Sequence, residues 1–285
     1  MKPELIRSFL FVPADNERLL VSALTKPCDA VILDLEDGIH ASKKESARQT
    51  LEASYARLKA AGKISVVRIN GDLNTAITDL RAAVLPGLDL LMLPKVEHPR
   101  DVQLLATVVA GLERSAGIPV GHVRFVLQIE SALALPKLYE IAAADRRVLG
   151  MMLGSEDFSL DCGADPTPET LMMPSMMVLF ACRAAKIQPI GFVGSIAELG
   201  APEVFKARVE QARSLGFRGA VVVHPKYLEI INDCFTPSAA QLEQALKIIQ
   251  AFEAADANGV GAIQLDGQMI DKPVYQRALD LTGRS

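Results

Sequence analysis

The sequence has few cysteines, and none of them stands at the spacing of a metal site. In 285 residues no two cysteines form a Cys-x-x-Cys pair; they lie at Cys28, Cys162, Cys182 and Cys234. Zinc sites and disulfide frameworks both depend on closely grouped cysteines. The wide separation argues against both and predicts reduced thiols.

Also absent is any apolar stretch near the length of about 18 residues that is needed to span a bilayer. The N-terminus lacks a basic region followed by the apolar core of a signal peptide. We therefore expect a soluble, cytoplasmic protein that has no membrane partner.

An excess of charge of one sign is lacking too. The chain carries 30 basic and 34 acidic residues, a net charge of −4, without a basic stripe interleaved with aromatic residues. Nucleic acid is therefore not an expected partner. No G-x-G-x-x-G or Walker pattern follows the first candidate strand, where the turn spans residues 12–16, so nucleotide binding by that route is not expected either. These absences favour an enzyme that acts on small metabolites.

What the sequence does contain is a series of short apolar runs that end in charged groups, at residues 33–37, 66–68, 91–95, 126–130 and 151–157. A buried strand cannot carry charge along its length without a large desolvation cost, so charged side chains appear where the strand emerges into a loop. If the strands form one barrel, their carboxyl ends face a common mouth.

Strand-like apolar runs alternate with segments of helical period, which is the signature of repeated βα units. There are eight candidate strands, at residues 8–12, 30–35, 65–69, 88–93, 123–129, 148–153, 187–192 and 219–223. Candidate helices lie between them, for example at residues 16–24, 42–60, 100–114, 132–143, 170–185 and 202–215. This pattern predicts an α/β protein with a TIM (β/α)8 barrel, in preference to an open doubly wound sheet.

The chain is predicted to divide into two parts. Residues 1–257 are expected to form the (β/α)8 barrel catalytic domain, for which about 250 residues are typical. The glycines in residues 258–262 suggest a hinge or hairpin, and residues 272–281 suggest a short final helix. We expect residues 258–285 to form a C-terminal lid or subunit arm.

Two carboxylates end neighbouring candidate strands. Glu130 follows the fifth strand and Asp157 the sixth. Hard oxygen ligands of this kind suit Mg²⁺, which takes one or two carboxylates and completes its shell with water and substrate oxygens. The alternative is that these carboxylates cap the following helices or pair with basic residues.

Arg68 ends the third strand, where its planar guanidinium could bind a substrate carboxylate through two hydrogen bonds. The alternative is an internal ion pair with Glu36. Side chains alternate along a strand, so Asp34 and Glu36 share one face and Asp37 begins the loop. We expect Glu36 to order Arg68 or metal-bound water, and Asp34 to pair with a barrel lysine.

Two further residues of the predicted mouth have open roles. Lys95 could be a Schiff-base nucleophile, since burial would lower its pKa, although pairing with a carboxylate is favoured because it lies in an exposed position after a proline. His224 follows the eighth strand and could be either a base or a hydrogen-bonded wall residue.

Several segments, in their order and spacing, resemble the citrate lyase β-subunit-like branch of the HpcH/HpaI aldolase superfamily. They are RSFLFVP at 7–13, LDLEDG at 33–38, VRIN at 67–70, QIES at 128–131, GSEDFSLD at 154–161, LGFRG at 215–219, VHP at 223–225 and GQMIDKP at 267–273. One departure concerns the end of the seventh strand, where relatives often carry an acidic residue and this chain has an apolar run at residues 190–193.

The resemblance implies a TIM barrel in which Glu130 and Asp157 bind Mg²⁺, and Arg68 and Glu130 contact the oxo- or hydroxy-acid part of a CoA thioester. It also implies that Asp271 lies in a C-terminal lid that closes over the site of a neighbouring subunit. The protein would then be a homo-oligomer, a trimer or a multiple of three.

Together the residues and the resemblance predict a Mg²⁺-dependent carbon–carbon lyase acting on a 3-hydroxyacyl-CoA. The preferred reaction is cleavage of (3S)-citramalyl-CoA to acetyl-CoA and pyruvate, with Asp271 transferring a proton to the enolate carbon and Glu36 and Asp37 in supporting roles. The alternatives are a malyl-CoA lyase, a malate synthase-like enzyme, a thioesterase, and a citrate lyase β subunit that works with an acyl-carrier partner.

Overall fold

Eight parallel strands form one sheet in the computed structural model, which describes residues 5–197 and 200–284. In chain order they are β1 (Ser8–Pro13), β2 (Ala30–Asp34), β3 (Ile64–Arg68), β4 (Leu90–Leu93), β5 (Arg124–Ile129), β6 (Val148–Leu153), β7 (Gln188–Pro189) and β8 (Ala220–Val222). Their order in the sheet is β7-β6-β5-β4-β3-β2-β1-β8. Each strand thus pairs with its predecessor along the chain, except that β8 pairs with β1, as a barrel requires.

The sheet closes between β7 and β8. The backbone N–H of Arg218 donates to the carbonyl of Pro189 at 2.9 Å, and the N–H of Gly191 donates to the carbonyl of Gly219 at 2.8 Å. At the start of β7, the Gln188 side-chain amide donates to the Ile6 carbonyl at 2.6 Å and accepts from the Ile6 N–H at 3.2 Å. The predicted (β/α)8 barrel is therefore confirmed.

Strand β7 is shorter than the predicted run at residues 187–192. Pro189 has no N–H to donate to a ladder, and Gly191 has a φ of +134°, which extended strands do not adopt. The chain therefore leaves the regular ladder after two residues and closes the barrel through isolated hydrogen bonds.

Helices cover the outside of the strands. They are α1 (Glu17–Leu24), α2 (Lys44–Gln49), α3 (Leu51–Ala60), α4 (Leu73–Ala83), α5 (Pro99–Ser115), α6 (Leu138–Ala142), α7 (Ser155–Cys162), α8 (Pro168–Ala185), α9 (Pro202–Leu215) and α10 (Leu228–Phe235). The predicted helix at 42–60 is divided at Thr50, whose hydroxyl donates to the carbonyls of Ala47 and Ala14. The predicted helix at 132–143 begins as a 3-10 turn, Ala132–Lys137, which contains Pro136.

The barrel interior is filled by alternate residues of the strands, including Ala30 and Ile32 of β2, Val66 of β3 and Val126 of β5. The intervening residues pack against the helices in a second, larger core. Because side chains alternate, the inward positions at the carboxyl ends of these strands fall to Asp34, Arg68 and Glu130. The same alternation that buries the core residues therefore sets which polar side chains face the mouth.

A second compact unit, Thr236–Ser285, follows the barrel unit Met1–Phe235. It contains α11 (Ala239–Asp256), the antiparallel hairpin β9 (Ile263–Leu265) and β10 (Gln268–Ile270), and α12 (Lys272–Thr282). The hairpin turns at Asp266 and Gly267, both at positive φ, as a two-residue type I′ turn requires. The rings of Phe252 on α11 and Tyr275 on α12 stack with their centres 4.7 Å apart.

Helix α11, which the sequence analysis assigned to the barrel domain, thus packs with the C-terminal residues. The functional division into a catalytic barrel at 1–257 and a lid at 258–285 stays a prediction. Within the residues that the structure describes, no helix has both the length and the apolar character to cross a membrane.

Candidate active site at the barrel mouth

Arg68 is the centre of a buried ion-pair network at the ends of β2 and β3. The strand register places it opposite Asp34. Its Nε and Nη2 donate to the two carboxylate oxygens of Asp34 at 2.7 Å each, and its Nη1 lies 2.9 Å from Oε2 of Glu36. The internal pairing with Glu36 that was considered for Arg68 is present, whereas Asp34 pairs with Arg68 and not with the lysine expected for it.

Asp34 also shapes the loop that follows β2. Its carboxylate accepts the backbone N–H of Glu36 at 3.0 Å and that of Gly38 at 2.9 Å. A Cβ at position 38 would collide with the Asp34 carboxylate, so glycine allows this close wrapping. As a result the loop turns Glu36 toward Arg68.

The guanidinium of Arg68 is permanently charged. Burial by itself would lower the pKa of Arg68, but the neighbouring carboxylates of Asp34, Glu36 and Glu130 raise it above its usual value. One face of the guanidinium lies 4.8 Å from the centre of the Phe11 ring. The two described hydrogen bonds to Asp34 use two of its five N–H hydrogens, and Nη1 lies beside Glu36, which leaves donors for a substrate.

Glu130 extends from the end of β5 into the mouth and is only 4% exposed. Its Oε2 accepts the backbone N–H of Lys95 at 2.9 Å. Burial, together with the negative charges of Glu36 and Asp157, raises the pKa of Glu130 to about 7. Burial also raises the pKa of Glu36, against the opposing effect of Arg68.

Asp157 lies in the first turn of α7, directly after β6. Its charge acts on both Glu130 and Lys95, so it shares the mouth with them. Burial and the negative charges of Glu36 and Asp157 disfavour the ionised form of Glu130, so a cation beside it would favour that form, and the carboxylates of Glu130 and Asp157 are hard oxygen donors. These features fit Mg²⁺, which binds through one or two carboxylates and keeps several waters.

The described residues of the mouth do not enclose a metal ion entirely with protein ligands. Among residues 5–197 and 200–284, no group of three or more His, Cys, Asp or Glu side chains could hold a metal ion. A pair of carboxylates leaves most coordination positions to water and substrate oxygens, which is the usual way in which proteins bind Mg²⁺.

Lys95 pairs with carboxylates, as the sequence analysis favoured. Its Nζ lies 3.1 Å from Oε1 of Glu36 and 3.9 Å from Asp37. The lowered pKa that a Schiff-base role would require is not found: burial acts in that direction, but Glu36, Asp37 and Asp157 together raise the pKa of Lys95. A raised pKa keeps the amine protonated and argues against a Schiff-base nucleophile.

Two predicted residues have local structural roles. Nδ1 of His224 accepts the backbone N–H of Lys226 at 3.1 Å and so caps the 3-10 turn Pro225–Tyr227, as a wall residue would. Asp271 lies in the second compact unit, where its carboxylate accepts the N–H of Val274 at 3.2 Å and caps α12. Its role in proton transfer stays a prediction.

Several groups that complete the site were not predicted from the sequence. They include Phe11 behind Arg68, and Gly154, where a Cβ would lie 2.5 Å from Cγ of Glu130. The polar group after β7 was not predicted either: Ser195 donates to Glu156 at 2.7 Å, beyond the apolar run at 190–193. A glycine between the end of β6 and the acidic residues Glu156 and Asp157 was the one signal that could have revealed Gly154.

The chain matches the family described as HpcH/HpaI aldolase/citrate lyase over residues 7–225. It is 33% identical to the citrate lyase subunit beta of Leuconostoc mesenteroides subsp. cremoris, covering 95% of this chain and 90% of that protein. It is 32% identical to a (3S)-malyl-CoA thioesterase of Cereibacter sphaeroides, covering 93% and 89% respectively. These matches agree with the resemblance seen in the sequence.

Solved structures give the same result. CitE from Mycobacterium tuberculosis, in complex with magnesium, acetoacetate and coenzyme A, superposes with a TM-score of 0.73 at 26% identity, covering 100% of this chain and 99% of that one. A citrate lyase from Burkholderia xenovorans LB400 reaches a TM-score of 0.82 at 20% identity, covering 99% and 92%. The second likeness supports the fold alone.

Proposed function

Because the chain belongs to the HpcH/HpaI aldolase/citrate lyase family, we propose that it is a Mg²⁺-dependent carbon–carbon lyase acting on a 3-hydroxyacyl-CoA. The preferred substrate in this proposal is (3S)-citramalyl-CoA, and the products are acetyl-CoA and pyruvate. The observation that carries the proposal is the convergence of buried Glu130, Asp157 and the Arg68 network at one barrel mouth.

Glu130 and Asp157 would hold the Mg²⁺, as the excess negative charge around Glu130 favours. When bound, Mg²⁺ would supply Lewis-acid stabilisation of negative charge on the carboxylate and hydroxyl oxygens of the substrate. Solved relatives in complex with magnesium, one of them with pyruvate, support the choice of ion and of a small oxo acid.

Arg68 would bind the acid end of the substrate. Asp34 holds its guanidinium side-on, and Phe11 supports one face, so the remaining N–H groups are fixed before the substrate arrives. A donor that is already oriented stabilises developing negative charge without reorganising. Glu36 and Asp37 serve this arrangement by balancing the charges of Arg68 and Lys95.

In the cleavage step a base takes the proton of the substrate hydroxyl, the oxygen forms the carbonyl of the oxo acid, and the electron pair of the broken carbon–carbon bond passes to the thioester as an enolate. Asp271 would then donate a proton to the enolate carbon, which gives acetyl-CoA. We place Asp271 in a lid that excludes water on closing, contributed by another subunit of a homotrimer or a multiple of it.

Two alternatives are favoured by the named relatives. A citrate lyase β subunit would cleave a citryl thioester to oxaloacetate and an acetyl thioester, with an acyl-carrier protein as its partner. A malyl-CoA thioesterase would release free CoA and malate and leave the carbon skeleton intact. Malyl-CoA lyase and malate synthase-like reactions use the same enolate.

Mass spectrometry of the purified chain with Mg²⁺ and citramalyl-, malyl- or citryl-CoA distinguishes these reactions. We expect citramalyl-CoA to disappear as acetyl-CoA and pyruvate appear in equal amounts. Free CoA with an intact hydroxy acid would identify a thioesterase, and turnover only after addition of an acyl carrier would identify a citrate lyase subunit. Full turnover in EDTA would contradict the metal-dependent mechanism.

A further inference from the structure

Lys95 has an unusual backbone conformation for a residue with a side chain. Its φ is +52°, in the left-handed region that side chains disfavour. Such a conformation persists where the surroundings determine it, and it is frequent at functional sites. Here it directs consecutive N–H groups toward β5: Lys95 donates to Oε2 of Glu130 at 2.9 Å, and Val96 donates to the Gln128 carbonyl at 3.2 Å.

The Glu130 carboxyl group is confined from two sides as a result. The Lys95 N–H holds Oε2, and the backbone of Gly154 approaches so closely that a Cβ there would lie 2.6 Å from Oε1. The orientation of the Glu130 carboxylate therefore depends directly on the left-handed turn at Lys95.

The side chain of the same residue reaches a second buried carboxylate. Its Nζ lies 3.1 Å from Oε1 of Glu36, while Oε2 of Glu36 lies 2.9 Å from Arg68. The Lys95 side chain is 46% exposed and that of Glu36 only 3%, so the pair joins a partly solvated lysine to a buried carboxylate. Gly71 leaves room for the lysine, because a Cβ at that position would lie 3.0 Å from Cδ of Lys95.

We propose that Lys95 is a positioning residue that orients both carboxylates of the mouth, Glu130 through its backbone N–H and Glu36 through its ammonium group. Glu36 in turn fixes Arg68, so one residue after β4 links the predicted metal ligand to the predicted substrate-binding arginine. The inference rests on the lyase site proposed above.

Lys95→Met removes the ammonium group but keeps the side-chain length and the backbone N–H. We expect kcat to fall about 10- to 100-fold, the range for groups that orient the residues of a metal site, with little change in KM. Mn²⁺, used as a spectroscopic probe, should bind at least as tightly as in the wild type, because a positive charge has been removed beside carboxylates. Lys95→Arg should recover most of kcat.

Lys206→Met is the matched control, because Lys206 forms an exposed pair with Glu210 at 3.9 Å on α9. It should leave kcat and Mn²⁺ affinity unchanged. If Lys95→Met does not fold, Lys95→Gly carries the same test, since glycine accepts positive φ.

An unchanged kcat in Lys95→Met, a loss of Mn²⁺ affinity parallel to the loss of kcat, or no recovery in Lys95→Arg would overturn the positioning role. A crystal structure of Lys95→Met tests it without turnover: the Glu36 carboxylate should rotate from the position in which its two oxygens face Lys95 and Arg68, and an unmoved Glu36 would contradict the proposal. If the wild type cleaves none of the thioesters, the proposed function fails and this structural comparison still decides the role of Lys95.

Discussion

At the scale of the residue, Glu130 is placed where its charge costs stability. Burial and the nearby carboxylates raise its pKa to about 7, so the folded protein without metal disfavours the ionised form that binds Mg²⁺. A carboxyl group whose pKa is raised by folding contributes stability that is present below its pKa in the unfolded chain, about 4.3. That contribution is lost as the pH rises through about 7. If Glu130 binds Mg²⁺ as proposed, it does so at the expense of the stability of the metal-free fold.

Glu130→Gln should separate these two effects. In EDTA at pH 8 we expect the variant to be more stable than the wild type, by an amount on the order of 1–3 kcal/mol, measured by denaturant unfolding. The same variant, and Asp157→Ala, should lose at least about 100-fold in Mg²⁺-dependent lyase activity, since even residues that only orient metal ligands contribute about 10- to 100-fold. A Glu130→Gln protein that is both active and less stable would refute this description.

At the scale of the element, the opposite end of the barrel joins α5 to the starts of β5 and β6 through a buried ion pair. Arg147 donates to the Glu113 carboxylate at 2.8 and 2.6 Å, and the backbone N–H groups of Gly121 and Val123 each donate to it at 2.9 Å. Burial alone would raise the pKa of Glu113, but these hydrogen bonds hold it below its usual value.

A carboxylate with a lowered pKa stabilises the fold above its unfolded pKa and loses that contribution as the pH falls through the folded value. Glu113→Gln should therefore destabilise the protein at pH 7 by about 3–5 kcal/mol, the usual cost of breaking a buried pair. The difference from the wild type should shrink below about pH 4. Urea unfolding at pH 7 and below about pH 4 measures this difference in stability. The substitution lies away from the mouth, so kcat of the folded variant should stay unchanged. An equal difference at both pH values would speak against an ionised Glu113.

The strand ends were predictable because burial confines charge to the carboxyl end of a parallel strand. Arg68, Glu130 and Asp157 could therefore be placed at strand ends without knowledge of their contacts. The partner of Asp34 could not be predicted, because the partner of a side chain depends on register, and the β2–β3 ladder sets Asp34 opposite Arg68.

Contacts between the ends of different elements were also beyond prediction. Asn70, after β3, donates from its backbone and side chain to the buried Asp79 of α4 at 2.8 and 2.6 Å, and from its amide to the Leu35 carbonyl at 2.9 Å. No local pattern marks such a pairing. The left-handed Lys95 was equally hidden, because propensity alone would assign that conformation to glycine.

At the scale of the whole molecule, the chain consists of a barrel unit that carries Arg68, Glu130 and Asp157 and a second unit that carries Asp271. The hairpin of β9 and β10 leads directly to Asp271, which caps α12. In the function proposed above, a closing lid would deliver this carboxylate to the site. The family resemblance implies that the lid serves a neighbouring subunit.

Mixing two inactive variants tests whether the lid serves a neighbouring subunit. Arg68→Ala lacks the proposed substrate-binding arginine and Asp271→Asn lacks the proposed proton donor, so we expect each variant alone to be inactive. If the lid serves a neighbouring subunit, co-expressed oligomers contain competent sites in which an intact Arg68 faces an intact Asp271, and random assembly gives about a quarter of wild-type activity. Light scattering of the co-expressed sample checks the oligomer. A lid that serves its own barrel would leave every site with one defect, and a sample of exchanged subunits without activity would therefore rule out exchange of the lid between subunits.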